Sequence, residues 1–213
     1  MKINKSLIIF VSAITIVGFL VYFFAGGYKK DSEKEAEELQ MGFSPEVELV
    51  LQTKANILRP IFSKDSIAAE LRLSNQKHKD LDLEEILILD QKFRASNGND
   101  NFAKQFLTNQ AAKELIKFQE NNPSFSEIFI TDKFGLNAAQ TNKTTDYYQS
   151  DEEWWTSTYN SGNGKEHHGS IEFDESAQAE AISIYFPIID SSTNELIGIA
   201  KAVLSIAIIK LEL

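Results

Sequence analysis

The sequence predicts an α+β domain. Helical spacing of apolar residues fills the first half, from Val47 to Ile116. From Glu127 onward the pattern changes to short alternating runs separated by turn residues. Helices first and a five-strand antiparallel run second is the order expected of an α+β fold, with helices covering one side of a sheet.

Ser44-Pro45 opens the first helix, with Ser at the N-cap and Pro at the first helical position. Val47, Val50, Leu51, Ile57, Leu58, Ile61, Phe62, Ala68, Ala69 and Leu71 recur at helical spacing, and Pro60 is expected to kink or break the run. Asp82 with Glu85 three residues on forms a capping-box pattern ahead of Leu83, Ile86, Leu87 and Phe93. Asn97-Gly98-Asn99-Asp100 reads as a turn, and Thr108 as the cap of a helix that turns Ala111, Ala112, Leu115 and Ile116 inward. Asn121-Asn122-Pro123 stops it.

Glu127–Thr131 is then a strand, Asp132-Lys133-Phe134-Gly135 a tight turn, and Leu136–Thr141 the hairpin partner. Ser150-Asp151-Glu152-Glu153 reads as a capping box for a short helix through Tyr159, closed by Gly162 and Gly164. Gly169–Asp174 and Gln178–Ile189 follow as strands. The last strand, Leu196–Ile206, is apolar on both faces and is expected at the centre of the sheet.

Ahead of this domain, Leu7–Gly27 contains no Asp, Glu, Lys, Arg or His. A helix of that length spans about 31 Å, enough for a bilayer core. It exceeds the usual h-region of a cleaved leader and ends in a poor cleavage site, so an uncleaved anchor is expected, with the N-terminus inside. Residues 1–27 are thus tail and transmembrane helix. Residues 28–43, rich in Glu and Lys, form a polar stalk; 44–206 form the domain; 207–213 start an output connection.

The chain has 213 residues, a length that favours one domain with an appendage. Its net charge is −10, and because residues 1–27 hold two lysines and no acids, the remainder stands at −12. Such a surface excludes a general nucleic-acid binder, which needs cations for phosphates. With no cysteine, disulfides and thiolate chemistry are excluded. Gly162-Asn163-Gly164-Lys165 is no P-loop, since Tyr159 replaces the first glycine and Glu166 follows the lysine. The histidines are His78, His167 and His168. The last two would face opposite ways on a strand, and they read as exposed loop residues rather than metal ligands. No cofactor has a signature here.

Both tryptophans lie in Asp146-Tyr147-Tyr148-Gln149-Ser150-Asp151-Glu152-Glu153-Trp154-Trp155. Aromatic walls with a few placed polar groups suit a small-ligand pocket, and Asp146, Asp151 and Glu152 suit a cation. Trp154 and Trp155 sit about 100° apart on a helix, so one is expected in the core and one on a cavity. Asp146 and Asp174 are not explained by helix capping.

The ordered set Ile128-Phe129-Ile130-Thr131-Asp132-Lys133-Phe134-Gly135, Thr145-Asp146-Tyr147-Tyr148 through Trp154-Trp155, Phe173-Asp174-Glu175-Ser176-Ala177, Ile184-Tyr185-Phe186-Pro187-Ile188-Ile189-Asp190 and Ile197-Gly198-Ile199-Ala200-Lys201 resembles the extracytoplasmic Cache (PDC, PAS-like) sensor domains of bacterial chemoreceptors and sensor histidine kinases. The resemblance covers residues 44–206. It implies a long N-terminal helix and helical cap on a five-stranded antiparallel sheet, preceded by one inner-membrane transmembrane helix, with a non-enzymatic ligand-sensing role outside the cytoplasm. The candidate ligand contacts are Asp146, Tyr147, Tyr148, Glu152, Trp154, Trp155, Asp174 and Ser176, of which the resemblance itself carries Trp154, Trp155 and Asp174. Trp154 and Trp155 match the aromatic pair of the amino-acid-binding branch, and Asp174 its acidic residue that meets a ligand amine. That branch carries an arginine two residues before its tryptophan, where this chain has Glu152. A carboxylate does not clamp a carboxylate, so a cationic, metal-like or polyol ligand is expected instead. Two alternatives stay open: an anchored hydrolase using Asp146 and Asp174, and a homodimerisation module packing through the long helix.

Overall fold

The computed structural model describes residues 43–174 and 179–212. The expected anchor Leu7–Gly27, the stalk up to residue 42, and Ser176 lie outside the described residues. Among the described residues, no helix is long and apolar enough to cross a membrane.

Five helices come first: α1 (Pro45–Phe62), α2 (Asp65–His78), α3 (Leu83–Ala95), α4 (Asn101–Thr108) and α5 (Gln110–Asn121). Pro60 is accommodated inside α1, which runs two residues beyond it; the break falls between Phe62 and Asp65. The expected capping box is present: Glu85 N–H donates to Asp82 at 2.9 Å and Asp82 N–H to Glu85 at 3.0 Å. The segment after Asn97 is more than a turn. Asp100 accepts from the amides of Phe102 and Ala103 and starts α4. Thr108 ends that helix and does not cap the next. Its hydroxyl donates to Lys104 O, and Asn109 caps α5 through Ala112 N.

The sheet is formed by β1 (Phe125–Asp132), β2 (Asn137–Gln140), β3 (His167–Asp174), β4 (Ala179–Ile189) and β5 (Leu196–Ser205), all pairings antiparallel, in the order β2-β1-β5-β4-β3. The apolar final strand is central, as its two-faced pattern predicts. Two short helices complete the chain, α6 (Glu153–Tyr159) between β2 and β3, and α7 (Ile206–Glu212) after β5. The segment expected to start the output connection is thus helical up to Glu212, with Ile206 and Ile209 buried.

Strand alternation sorts the sheet into two faces. Ile128, Ile130, Ile182, Ile184, Phe186, Ala200, Ala202 and Leu204 are buried against the helices. Phe62 meets Phe186 with ring centroids 5.3 Å apart, and α2 buries Ile67 and Leu71 against β1 and β5. The fit is tightest at Gly198, where a Cβ would stand 2.3 Å from Thr131 O and 2.8 Å from Leu71. A second core, Ile86, Phe93, Ala103, Phe106, Leu136 and Tyr147, joins α3 and α4 to the β1–β2 hairpin as a cap.

Three local expectations give way to tertiary contacts. Ser150 forms no capping box, because Glu152 is the N-cap of α6. Ser150 packs instead against the β1–β2 turn, within 2.4 Å of where a Gly135 Cβ would be. Helix α6 ends on Asn160 in the left-handed region rather than on Gly162. His167 and His168 lie on β3 rather than in a loop, half-buried and pointing to opposite faces.

Candidate functional site

The face of the sheet turned away from α1 and α2 carries Glu127 and Phe129 from β1, Lys201 from β5, Ala181, Ser183 and Tyr185 from β4, and Ser170 and Glu172 from β3. The segment Thr144–Gln149 and the start of α6 wall it in. The result is two adjoining cavities of about 330 and 430 Å³, which share Asp146, Gln149, Glu152, Glu172 and Lys201.

Trp154 forms an aromatic wall. Its ring stacks on Tyr185 at 5.1 Å and 14°, and meets Phe129 edge-on at 5.9 Å. Lys201 Nζ lies 5.4 Å from the Trp154 centroid and 6.0 Å from that of Phe129, within range of a cation–π attraction. Trp155 turns the other way, into the core. It is buried, donates Nε1–H to Thr131 Oγ1 at 2.8 Å and stacks on Tyr159.

Carboxylates outnumber cations around the space. Glu127 is 3% exposed, and Asp146, Glu152 and Glu172 join it against Lys201 alone among the described lining residues. Burial pushes the Asp146 carboxyl above its ordinary range. It does the same for Glu152, with help from the neighbouring charges of Asp146 and Asp151. These are carboxylates that gain from a positive neighbour. His167 is shifted down by burial, which favours the neutral imidazole, and its Nε2 is 3.0 Å from Thr158 Oγ1.

The wall segment is fastened from behind. Asp90 Oδ1 accepts the successive amides of Tyr147 and Tyr148 at 2.8 and 3.1 Å, and Arg94 pairs with its other oxygen. Asn137 Nδ2 donates to the Asp146 carbonyl at 2.8 Å. Tyr147 points into the cap core, fully buried, with its hydroxyl 3.2 Å from His78 Nε2. Burial pushes that phenol well above its usual range. His78 Nδ1 is in turn 2.6 Å from Asp132, which also accepts from Ser74 Oγ at 2.8 Å. Serine, histidine and aspartate meet here, but Ser74 and Asp132 share one ring nitrogen of a histidine that is 3% exposed, which is a buried brace between α2 and the β1–β2 turn.

Of the residues predicted for the site, the fold thus brings Asp146, Glu152 and Trp154 to the cavities. Tyr147 and Trp155 face the core, and Tyr148 packs against the cap. Asp174 ends β3 by pairing with Ala179, and its side chain lies outside the described residues. Among the described residues, no three His, Asp or Glu side chains form a group that could hold a metal ion. The cavity residues that sequence reasoning passed over are Glu127, Glu172, Tyr185, His167 and Lys201. A signal existed for one of them: Lys201 is the only charged residue of the otherwise mostly apolar β5.

No protein-family model matches the chain, and no curated protein matches it. Among solved structures, it is similar to the E. coli DcuS sensor domain, with 15% identity and a TM-score of 0.36 over 61% of this chain and 92% of that one. It is similar to the V. cholerae histidine kinase DctB sensor domain, with 16% identity and a TM-score of 0.39 over 77% of this chain and 59% of that one. The sensory domain of the Campylobacter jejuni chemoreceptor Tlp3 with isoleucine bound gives 10% identity and a TM-score of 0.40, over 80% and 67% of the two chains. The chain thus spans about three fifths of the DctB domain's length.

Proposed function

We propose that this chain is a membrane-anchored, extracytoplasmic sensor module that binds a small organic amine on the open face of its sheet. It catalyses no reaction and passes the signal to an output domain. The observation that carries the reading is the cavity lining: buried Glu127 and half-buried Asp146, with the more exposed Glu152 and Glu172, beside the stacked Trp154–Tyr185 wall. An ammonium group gains ion pairs with the carboxylates and a π face from the aromatics, and a carboxylate ligand meets repulsion from all but Lys201. A polyol satisfies the same acceptors less strongly, through neutral hydrogen bonds. Anchoring through Leu7–Gly27 and the ordered sequence resemblance support the location. A signal follows if the ligand prefers one of two packings of the cap and sheet. A homodimer through α1 would cover Leu49 and Ile57, which are 64% and 38% exposed.

The test is isothermal titration of the full chain in detergent with 1,4-diaminobutane, ethanolamine, sorbitol and succinate. The amines are expected to bind, and Asp146→Asn is expected to weaken them by about tenfold, the worth of one charge-assisted contact. Tight succinate binding without amine binding overturns the reading.

A further inference from the structure

Arg94 stands at the seam between the cap and the cavity. Its Nε side pairs with Asp90, a carboxylate 8% exposed on its side chain, and its Nη2 reaches Asp146 Oδ2 at 3.4 Å. Asp146 lines both cavities. One guanidinium therefore serves two carboxylates, on unequal terms. The Asp90 contact is short, at 2.5 Å, to a carboxylate 8% exposed, whereas the Asp146 contact is long, at 3.4 Å, to one 14% exposed. Asp146 Oδ1 is engaged elsewhere, by Gln149 Nε2 at 2.5 Å and Thr145 Oγ1 at 3.3 Å. Oδ2 holds only the long Arg94 contact among the hydrogen bonds described for this carboxylate.

We infer that Arg94 is a built-in competitor for Asp146 that sets how strongly the cavity prefers a positive ligand. An ammonium group entering the cavity takes over Asp146 Oδ2, and Arg94 keeps its stronger partner Asp90. The inference rests on the amine reading and deepens it: the ligand displaces a resident cation rather than filling an empty position. It also assigns a sign that a merely structural arginine does not share. If Arg94 only braces the Asp90 hook, its loss loosens Tyr147 and Tyr148 and weakens binding. If it competes, its loss leaves the cavity more negative and tightens binding.

The experiment compares the full chain with Arg94→Gln and Arg94→Lys, by titration with 1,4-diaminobutane and with neutral 1,4-butanediol, at low and high salt. Arg94→Gln is expected to tighten the diamine by about three- to fivefold at low salt, the effect of removing one unit charge some 6–7 Å from the ligand nitrogen in a water-accessible site. The gain shrinks at high salt, and butanediol binding does not change. Arg94→Lys stays close to the wild type because the charge is kept. The double variant Asp90→Asn with Arg94→Gln removes both members of the sheltered pair, so no buried charge is left without its partner; Asp146 Oδ2 is still freed of its competitor, but the lost Asp90 charge offsets part of the attraction, and a smaller gain is expected there. Unchanged or weaker diamine binding in the folded Arg94→Gln and double variants overturns the inference and leaves the amine reading standing. A wild-type chain that binds no diamine overturns both.

Discussion

Replacing Asp132 separates two roles of one buried carboxylate. It is fully buried and makes four hydrogen bonds. Oδ1 accepts the amides of Phe134 and Leu136 at 3.0 and 3.1 Å, and Oδ2 meets Ser74 Oγ and His78 Nδ1 at 2.8 and 2.6 Å. In Asp132→Ala all four partners lose their acceptor, while Leu136 and His78 remain buried. Each buried group left unsatisfied costs about 1–3 kcal/mol, and part of that is recovered by water near the exposed turn, so a loss of about 4 kcal/mol is expected. At about 2–4 °C per kcal/mol for a domain of this size, the midpoint falls by roughly 8–16 °C. Asp132→Asn keeps the turn bonds through its carbonyl oxygen. Its NH2 donates to His78 Nδ1 once the imidazole proton moves to Nε2, where Tyr147 OH accepts it. The contact with Ser74 has to rearrange and the Tyr147–His78 bond reverses, which leaves the buried Tyr147 hydroxyl proton without His78 Nε2 as its acceptor, so about 2 kcal/mol is expected. Urea unfolding followed by the fluorescence of Trp155, buried 2.8 Å from Thr131 on the same strand, reads both values. An alanine variant that loses less than the asparagine variant refutes the reasoning.

Two further outcomes follow from contacts at the same end of the sheet, where Gly198 is the cross-strand partner of Asp132. Gly198→Ala places a methyl 2.3 Å from Thr131 O and 2.8 Å from Leu71, so β5 and α2 must separate; a loss of about 2 kcal/mol or more is expected in the same urea assay, and a neutral result would show that the strand yields. Arg72 donates to both oxygens of Asp190, which holds that carboxyl well below its ordinary range. Its stabilising effect is therefore complete above the unfolded carboxylate pKa of about 4 and is lost as pH falls toward the lower folded value. Arg72→Gln is expected to melt earlier than the wild type at pH 7, with the gap closing as pH drops below about 4; a gap independent of pH counts against the pair.

What the sequence disclosed follows the range of each interaction. The Asp82–Glu85 cap depends on four adjacent residues and was legible from them. The central position of β5 was legible because both of its faces are apolar, which only a strand covered on two sides needs. Ser150 misled because its local pattern suits a cap, yet the Gly135 turn, fifteen residues away in sequence, claims it. The site divides in the same way. The division of Trp154 and Trp155 between cavity and core follows from helical geometry alone. The burial of Tyr147 does not, since it depends on α3, α4 and His78 converging from separate segments. Asp146 and Tyr147 face opposite sides of one strand-like segment, which sends neighbours in the sequence to different destinations. Lys201 was overlooked because a single lysine looks like a surface residue until the strand order places it at the centre of the sheet.

That same pair of neighbours, Tyr147 in the cap core and Asp146 on the cavity, makes the wall segment a rivet through two compartments. The cap cannot swing open without drawing Asp146 out of the cavity, so local opening of the cap and loss of binding competence are one event with one free energy. On the proposed amine reading, ligand concentration would then act as a clamp on fluctuations some way from the ligand itself, and amides of α3 and α4 would slow their exchange with solvent in step with occupancy of the sheet face.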